Sequence, residues 1–283
     1  MKQCPLARQS LRREGEAPAS PPSAKPPSPS PAQQELRPPV ASCGIYRYNE
    51  PVPDITANLA AVNDRIAAAC ERAGRAPEEV QLMAVGKKFT ADIIAEAAEA
   101  GLTLFGENRI QEARVKIPEC PGHLRWHFIG HLQSNKCRDA VELFSMIHAV
   151  DSVQLAAELN KRCAAAAKTM PVLLEVNVSG EGSKHGFTPD AAVDAIGAFD
   201  DFPQLELHGL MTMAPFTRAP ESSRPHFRKL AGVRANCENA LGAPLPELSM
   251  GMSGDFEIAI EEGATLIRLG TTLFGPRAAA GKD

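Results

Sequence analysis

Residues 80–85 read Val-Gln-Leu-Met-Ala-Val, and Gly86, Lys87 and Lys88 follow at once. Short apolar runs bounded by turn residues are typical of strands that are buried on both faces. Similar runs recur along the chain with helical stretches between them, and the eight runs are 80–85, 102–105, 125–129, 144–150, 172–178, 205–211, 247–250 and 265–269. Strands separated by helices pair in parallel through right-handed crossovers, and eight such units close on themselves. The sequence therefore predicts a single α/β domain, a (β/α)8 barrel of the TIM type.

An extra amphipathic helix precedes the first strand. Apolar residues recur three or four positions apart at 55, 59, 62, 66 and 70, with Asp54 suited to cap the start and Gly74 the end. The connectors 91–100, 152–168 and 221–241 are helical in pattern, whereas the second, third and seventh connectors are shorter. An open doubly wound sheet is the alternative architecture, but no glycine-rich dinucleotide fingerprint follows the first strand.

The composition separates a proline-rich start from a globular remainder. Residues 1–53 hold 12 of the 24 prolines and seven Lys or Arg against four Glu. Such a stretch buries too little apolar surface to offset the ordering of the chain, which predicts a disordered N-terminal segment. The barrel is predicted at 54–277 and a C-terminal tail at 278–283. The N-terminal segment is compatible with an organelle transit peptide, a plain tail and an overlong gene start.

The charge and cysteine patterns narrow the class of protein. A net charge of −4 does not suggest nucleic-acid binding. No apolar run approaches the roughly 20 residues that span a bilayer, so no membrane partner is expected. Seven cysteines without a CxxC pair argue against a disulfide framework or a zinc site. We expect a reducing compartment, the cytoplasm, or an organelle if the N-terminal segment is a transit peptide.

The residues after the first strand include a candidate reactive lysine. In a β/α barrel, the chemistry lies at the carboxyl ends of the strands. Lys87 occupies such a position, and burial would lower its pKa and favour attack of the amine on an aldehyde. Read alone, however, a lysine here is more often the start of a solvated loop.

Two glycine-rich turns follow the last two strands. Residues 249–254 read SMGMSG and residues 270–275 read GTTLFG. Loops in these places commonly bind phosphate in such barrels, because glycine allows close backbone approach and N–H and hydroxyl groups donate to phosphate oxygens. Each turn is weak evidence alone, since Gly and Ser are ordinary turn residues. Together with Lys87 they predict a phosphorylated aldehyde as the ligand.

Seven short motifs occur in one order along residues 55–277. They are Gly86-Lys87, Phe105-Gly106-Glu107-Asn108, 126–133 (WHFIGHLQ), 183–186 (SKHG), 208–212 (HGLMT), 249–253 (SMGMS) and 268–275 (RLGTTLFG). This set resembles the pyridoxal phosphate homeostasis protein family, a single-domain relative of the amino-terminal barrel of alanine racemase. The chain departs from the family at Gly86 and Lys88, where relatives often have serine and threonine. The two-residue period of a strand places Lys87, and not Lys88, on the face of Met83 and Val85.

The resemblance implies a cofactor and a role for each site residue. It implies that pyridoxal 5′-phosphate (PLP) is held as a Schiff base on Lys87. Ser253, Gly270 and Thr271 would hold the phosphate, and Arg268 would face the pyridine nitrogen. Since arginine only donates hydrogen bonds, the ring nitrogen would stay unprotonated and the ring would be a weaker electron sink. Asn108 would support the cofactor ring or Lys87, although an asparagine that caps a loop has the same pattern.

The remaining polar residues are predicted to be structural. His123, His127 and His131 lie close in sequence, but no nearby Cys or carboxylate completes a ligand set, so we predict no metal site. His208 is predicted to be a satisfied core histidine. Lys184 is predicted to be solvated.

The resemblance implies that the protein carries or buffers PLP without turnover, and that apo forms of PLP-dependent enzymes are its partners. The alternative is an amino-acid racemase or decarboxylase, but those barrel enzymes carry a second, β-rich domain, and nine residues follow Phe274. The two tyrosines, Tyr46 and Tyr48, precede the barrel, which removes the tyrosine base. A Schiff-base aldolase would place its lysine on a later strand. Without the second domain, a monomer is expected.

Overall fold

The structure is a computed structural model that describes residues 54–182, 185–215 and 217–275. The predicted N-terminal segment 1–53 and the tail 278–283 lie outside the described residues, as does the predicted end of the barrel at 276–277. Among the residues described, no helix is both long enough and apolar enough to cross a membrane.

Eight parallel strands form a closed barrel in sequential order, and the last strand pairs with the first. The strands are β1 (Gln81–Val85), β2 (Leu104–Glu107), β3 (Arg125–Phe128), β4 (Met146–Val150), β5 (Met170–Glu175), β6 (Leu205–Met211), β7 (Glu247–Met252) and β8 (Leu266–Leu269). The predicted barrel is confirmed. Parallel order brings all eight carboxyl ends to one face, which is where the candidate site residues were expected.

Helices alternate with the strands along the chain. They are α1 (Ile55–Ala73), α2 (Ala91–Glu99), α3 (Ile110–Lys116), α4 (Cys137–Leu143), α5 (Val153–Ala165), α6 (Pro189–Asp194), α7 (Arg224–Leu241), α8 (Phe256–Glu261) and α9 (Thr271–Phe274). Short 3-10 turns lengthen several connectors, at Pro77–Glu79, Ile117–Glu119, Ser134–Lys136, Ile196–Asp201 and Pro220–Ser223. The short connectors that follow β2, β3 and β7 agree with the sequence pattern.

The first helix has the predicted caps. Asp54 Oδ1 accepts the N–H of Ala57 at 2.9 Å, and Gly74 ends the helix with a φ of 64°. A residue in this left-handed region is best a glycine, because a side chain would be strained there. The helix packs against α8 and α9, and Asn58 donates to the carbonyl of Leu273 at 2.8 Å. The extra helix thus supports the two helices that follow β7 and β8.

Two strands differ most from the predicted boundaries. The fifth was predicted at 172–178 but lies at Met170–Glu175. The second was predicted at 102–105 but lies at Leu104–Glu107, so the prediction was wrong by two residues. The apolar pattern misplaced it because Glu107 is charged yet fully buried, with 0% of its surface exposed. Such a carboxylate is tolerated inside a protein only when it has a partner. Its partner, Lys116, comes from the next helix.

Candidate functional site

A cavity of about 480 Å³ lies where β1, β7 and β8 end. Ligand sites usually fall between about 300 and 1,000 Å³, so this cavity has the size of a cofactor site. Five of the six predicted site residues line it, namely Lys87, Ser253, Arg268, Gly270 and Thr271. The sixth, Asn108, lines a separate cavity of about 240 Å³ beside Gln133 and Lys136.

The end of β1 presents Lys87 through a tight turn. Gly86 is buried, Lys87 is half-buried and Lys88 is exposed, as the two-residue period predicted for the pair of lysines. The N–H of Phe89 donates to the carbonyl of Gly86 at 3.1 Å and closes the turn. Lys88 adopts a φ of 69°, and its N–H donates to Glu112 Oε2 at 3.3 Å. Lys87 alone of the two lysines lines the cavity.

A buried ion pair lies directly behind this turn. Lys116 Nζ is 2.6 Å from Glu107 Oε1 and donates to the carbonyl oxygen of Gly86 at 2.8 Å. Burial raises the pKa of the Glu107 carboxyl, and the Lys116 ammonium opposes that shift. Glu107 Oε2 is buried without a hydrogen-bond partner among the described residues. Sequence reasoning missed Lys116, although a carboxylate at the end of an apolar strand signals that a cation must lie nearby.

Arg268 is held in a fixed place in the barrel. Its side chain is buried, with 4% of the residue exposed. Nη1 donates to Ser249 Oγ at 2.6 Å and Nη2 donates to the carbonyl of Thr212 at 2.9 Å. Burial lowers the pKa of the Arg268 guanidinium to about 10, while Asp255 and Glu175 oppose the shift. The group therefore remains a cation and a hydrogen-bond donor at neutral pH.

Two buried histidines extend this contact across the barrel. His148 Nδ1 is 3.0 Å from Ser249 Oγ, and His148 Nε2 is 3.0 Å from His127 Nδ1. Burial lowers the pKa of His127 to about 3 and also lowers the pKa of His148, so both rings are neutral at pH 7. Since Arg268 can only donate to Ser249 Oγ, we infer that the Ser249 hydroxyl donates its own hydrogen bond to His148 Nδ1. Sequence reasoning treated His127 as structural and did not identify His148.

The two glycine-rich turns meet at Ser253. Its hydroxyl oxygen accepts the N–H groups of Gly270 and Thr272, each at 3.3 Å. Asp255 shapes the first turn, because its Oδ1 accepts the N–H of Met252 at 2.8 Å and its Oδ2 accepts Ser223 Oγ at 2.9 Å. Two backbone donors that already converge on one oxygen form the kind of arrangement that binds phosphate.

The residues that line this cavity fit a phosphorylated aldehyde. Lys87 supplies an amine, and the turns that contain Ser253 and Gly270 supply hydroxyl and N–H donors. Arg268 supplies a buried cation on the same wall. The cofactor inferred from the sequence motifs requires three groups: an amine, a turn that can bind phosphate and a fixed hydrogen-bond donor for its ring.

Other predicted residues lie elsewhere. Asn108 lies against Gly130, where an added Cβ would overlap the Asn108 carbonyl oxygen. His208 is half-exposed on β6, 3.4 Å from Glu206, so the prediction of a core histidine was wrong. The apolar pattern of the strand did not predict this exposure, because the His208 side chain lies on the same side of the strand as Glu206. Lys184 lies outside the described residues.

Comparison with known proteins identifies close relatives. The sequence profile described as the N-terminal domain of alanine racemase matches residues 57–278. A pyridoxal phosphate homeostasis protein of Aquifex aeolicus is 42% identical over 220 residues, which cover 77% of this chain and 96% of that protein. The protein of the same description from Escherichia coli is 41% identical over 231 residues, which cover 79% of this chain and 97% of that protein.

Solved structures agree with these sequence matches. The structure of PipY from Synechococcus elongatus with PLP bound matches with a TM-score of 0.69 and 36% identity, covering 78% of this chain and 100% of that chain. The barrel, the order of its strands and these identities all lead to one assignment. The chain belongs to the pyridoxal phosphate homeostasis protein family, whose barrel is that of the alanine racemase N-terminal domain.

Proposed function

We propose that the protein binds PLP in the cavity of about 480 Å³ and serves PLP homeostasis as a carrier or buffer, without turnover of its own. The proposal rests on the observation that Lys87 and the two glycine-rich turns line one cavity. The homeostasis description of relatives about 40% identical supports it.

Each residue that lines the cavity has a role in this proposal. Lys87 holds the aldehyde of PLP as a Schiff base. Ser253, Gly270 and Thr271 bind the phosphate, and Arg268 donates to the pyridine nitrogen. When bound, PLP supplies an electrophilic carbon and an electron-accepting ring. A permanent donor at the ring nitrogen keeps that nitrogen unprotonated, which weakens the ring as an electron sink.

The acid and base groups around the cavity favour a carrier over a racemase. Racemisation needs proton transfer on both faces of the substrate carbon. Both tyrosines of the sequence precede residue 54, so the described barrel has no tyrosine base. Among the described residues that line the cavity, Asp255 is the one carboxylate, and its two oxygens already accept from Met252 and Ser223. Among the described residues that line the cavity, neither a tyrosine nor a carboxylate without other partners is therefore offered as the second base of a racemase.

Visible absorbance tests the binding mode. We expect purified protein mixed with PLP to develop the yellow band of a lysine Schiff base, and Lys87→Ala to lose it. Lys88→Ala is the matched control, because Lys88 is adjacent but does not line the cavity, and it should keep the band. A full band in Lys87→Ala would disprove the assignment.

Turnover assays test the carrier role. Protein loaded with PLP should neither racemise nor decarboxylate single-enantiomer amino acids above the rate of free PLP. It should restore activity to an apo PLP-dependent enzyme faster than its spontaneous release of PLP allows. Sustained racemisation that Lys87→Ala abolishes would establish the enzyme alternative instead.

We further propose a monomer that works in the cytoplasm. The described cysteines, which are Cys70, Cys120, Cys137, Cys163 and Cys237, are buried and unpaired, which suits a reducing compartment. Sedimentation at micromolar concentration tests whether the protein is a monomer. Determination of the native amino terminus of the protein tests its compartment. Asn108 stays a predicted support of the cofactor ring or Lys87, and Asn108→Ala would then weaken PLP binding.

A further inference from the structure

Three side chains of the kinds that ligate metal ions meet at the barrel mouth, after strands whose ends do not line the cavity proposed for PLP. His131 follows β3, Asp151 follows β4 and His185 follows β5, so three neighbouring strand ends each contribute one group. The candidate ligand atoms of all three lie within 4.8 Å of one another. They are far apart in sequence, and the barrel alone brings them together.

One carboxylate oxygen lies at the centre of the group. Asp151 Oδ2 is 3.1 Å from His131 Nδ1 and 4.0 Å from His185 Nδ1. The other oxygen, Oδ1, accepts Ser152 Oγ at 3.1 Å, which orients the carboxylate. Hydrogen bonds that orient a ligating carboxylate are typical of metal sites. The Asp151 side chain is 14% exposed, so this orientation is set inside the barrel mouth.

The spacing suits a small cation. Nitrogen and oxygen ligands lie about 2.0–2.2 Å from zinc, so two ligand atoms of a tetrahedral site lie about 3.4 Å apart. The distances of 3.1 and 4.0 Å fall on either side of that value. One negative carboxylate and two imidazoles also form a donor set that binds borderline-soft transition metals in preference to Mg²⁺ or Ca²⁺.

The two imidazole rings must tilt to bind one ion. They now stack with their centroids 3.8 Å apart and 12° between their planes. A metal lies near the plane of each ring that ligates it, which parallel rings cannot both satisfy. The His131 and His185 side chains are 43% and 58% exposed, so both have room to rotate.

We propose that His131, Asp151 and His185 bind a divalent transition-metal ion of the zinc class at the barrel mouth. Three protein ligands leave a fourth position for water or an anionic ligand, as in zinc sites that stay open. The sequence predicted no metal site, since His131 was considered only with His123 and His127. The carboxylate and the second histidine come from later strands.

Cobalt titration of the full-length, reduced and PLP-free protein tests the site. Co²⁺ reports its ligands by visible d–d absorption, and Zn²⁺ should displace it. We expect saturation at one equivalent, with His131→Gln, His185→Gln and Asp151→Asn each weakening binding by at least about tenfold. His208→Gln is the matched control, because His208 pairs with Glu206 but has no second histidine in a ligand cluster with it among the described residues, and this variant should bind Co²⁺ as the parent does.

Cysteine binding is the competing result. A thiolate charge-transfer band that Cys4→Ser with Cys43→Ser removes, and that the histidine variants leave unchanged, would overturn the proposal. Absence of saturable Co²⁺ binding would overturn it too. Circular dichroism of each variant checks folding, and the exposed histidines should be replaceable at little cost in stability. Because PLP is absent, the result is independent of the proposed function.

Discussion

Lys116 donates a 2.8 Å hydrogen bond to the carbonyl oxygen of Gly86, the residue that precedes Lys87. The same ammonium group lies 2.6 Å from Glu107 Oε1, so one buried cation joins α3, β2 and the end of β1. The position of the candidate Schiff-base lysine therefore depends on a residue that does not line the cavity.

Lys116→Met should strongly destabilise the barrel. The substitution leaves the Glu107 carboxylate buried without a partner, which costs about 3–5 kcal/mol of unfolding free energy. Urea unfolding measures the loss. The double variant Glu107→Gln with Lys116→Met is the control and should recover part of it, because no lone charge then remains. A single variant as stable as the parent would contradict the buried pair.

The stability should fall as the pH decreases below about 6.5. The pKa of His127 is lowered to about 3, so between these values the unfolded chain binds a proton that the folded protein does not. A histidine whose pKa is lower in the folded than in the unfolded state contributes stability that is fully present above the unfolded-state pKa. That stability is lost as the pH falls toward the folded-state pKa. His148 acts in the same direction.

The pH slope of unfolding measures this effect. Each histidine contributes up to about 1.4 kcal/mol per pH unit. His127→Gln keeps an amide beside His148 and should reduce the slope between pH 6.5 and 5 by about that amount. Ser145→Ala, which removes no titratable group, should leave the slope in place. An unchanged slope in His127→Gln would show that this histidine does not resist protonation.

Ser253→Ala should weaken PLP binding. It removes the hydroxyl on which the N–H groups of Gly270 and Thr272 converge. A hydrogen bond to a charged group is worth about 1.5–3 kcal/mol, which corresponds to roughly 10- to 150-fold in Kd. Spectral titration with PLP measures the change. Ser145→Ala is the control, because Ser145 bonds to Trp126 at the opposite end of the barrel.

Gly130→Ala should destabilise the protein and displace Asn108. The added Cβ would overlap the backbone of Asn108, which cannot move as a flexible side chain does. Overpacking of this kind costs about 1–3 kcal/mol. Gly122→Ala adds the same methyl group where no atom lies within 4 Å, so its melting temperature should stay near that of the parent. Equal melting temperatures for both variants would contradict the close approach.

The architecture could be predicted from the sequence because its causes are local. Apolar runs such as 80–85 alternate with helical periodicity, and Asp54 and Gly74 act on the residues beside them. Parallel closure then places all the strand ends on one face. Lys87 and the two glycine-rich turns could therefore be assigned to one face of the barrel from their positions after β1, β7 and β8. The roles of Ser253 and Arg268 came from the resemblance to the family.

The partners of those residues required the folded barrel. Glu107 with Lys116, and His148 with Ser249, are contacts between different elements, and no spacing along the chain encodes them. That Asn108 lines the other cavity could not be read from the sequence either, since the direction of a side chain after a strand depends on how that strand is rotated in the barrel. The cluster of His131, Asp151 and His185 arises for the same reason: strand order and rotation set which loops face one another, whereas hydrophobic periodicity sets only which residues are buried.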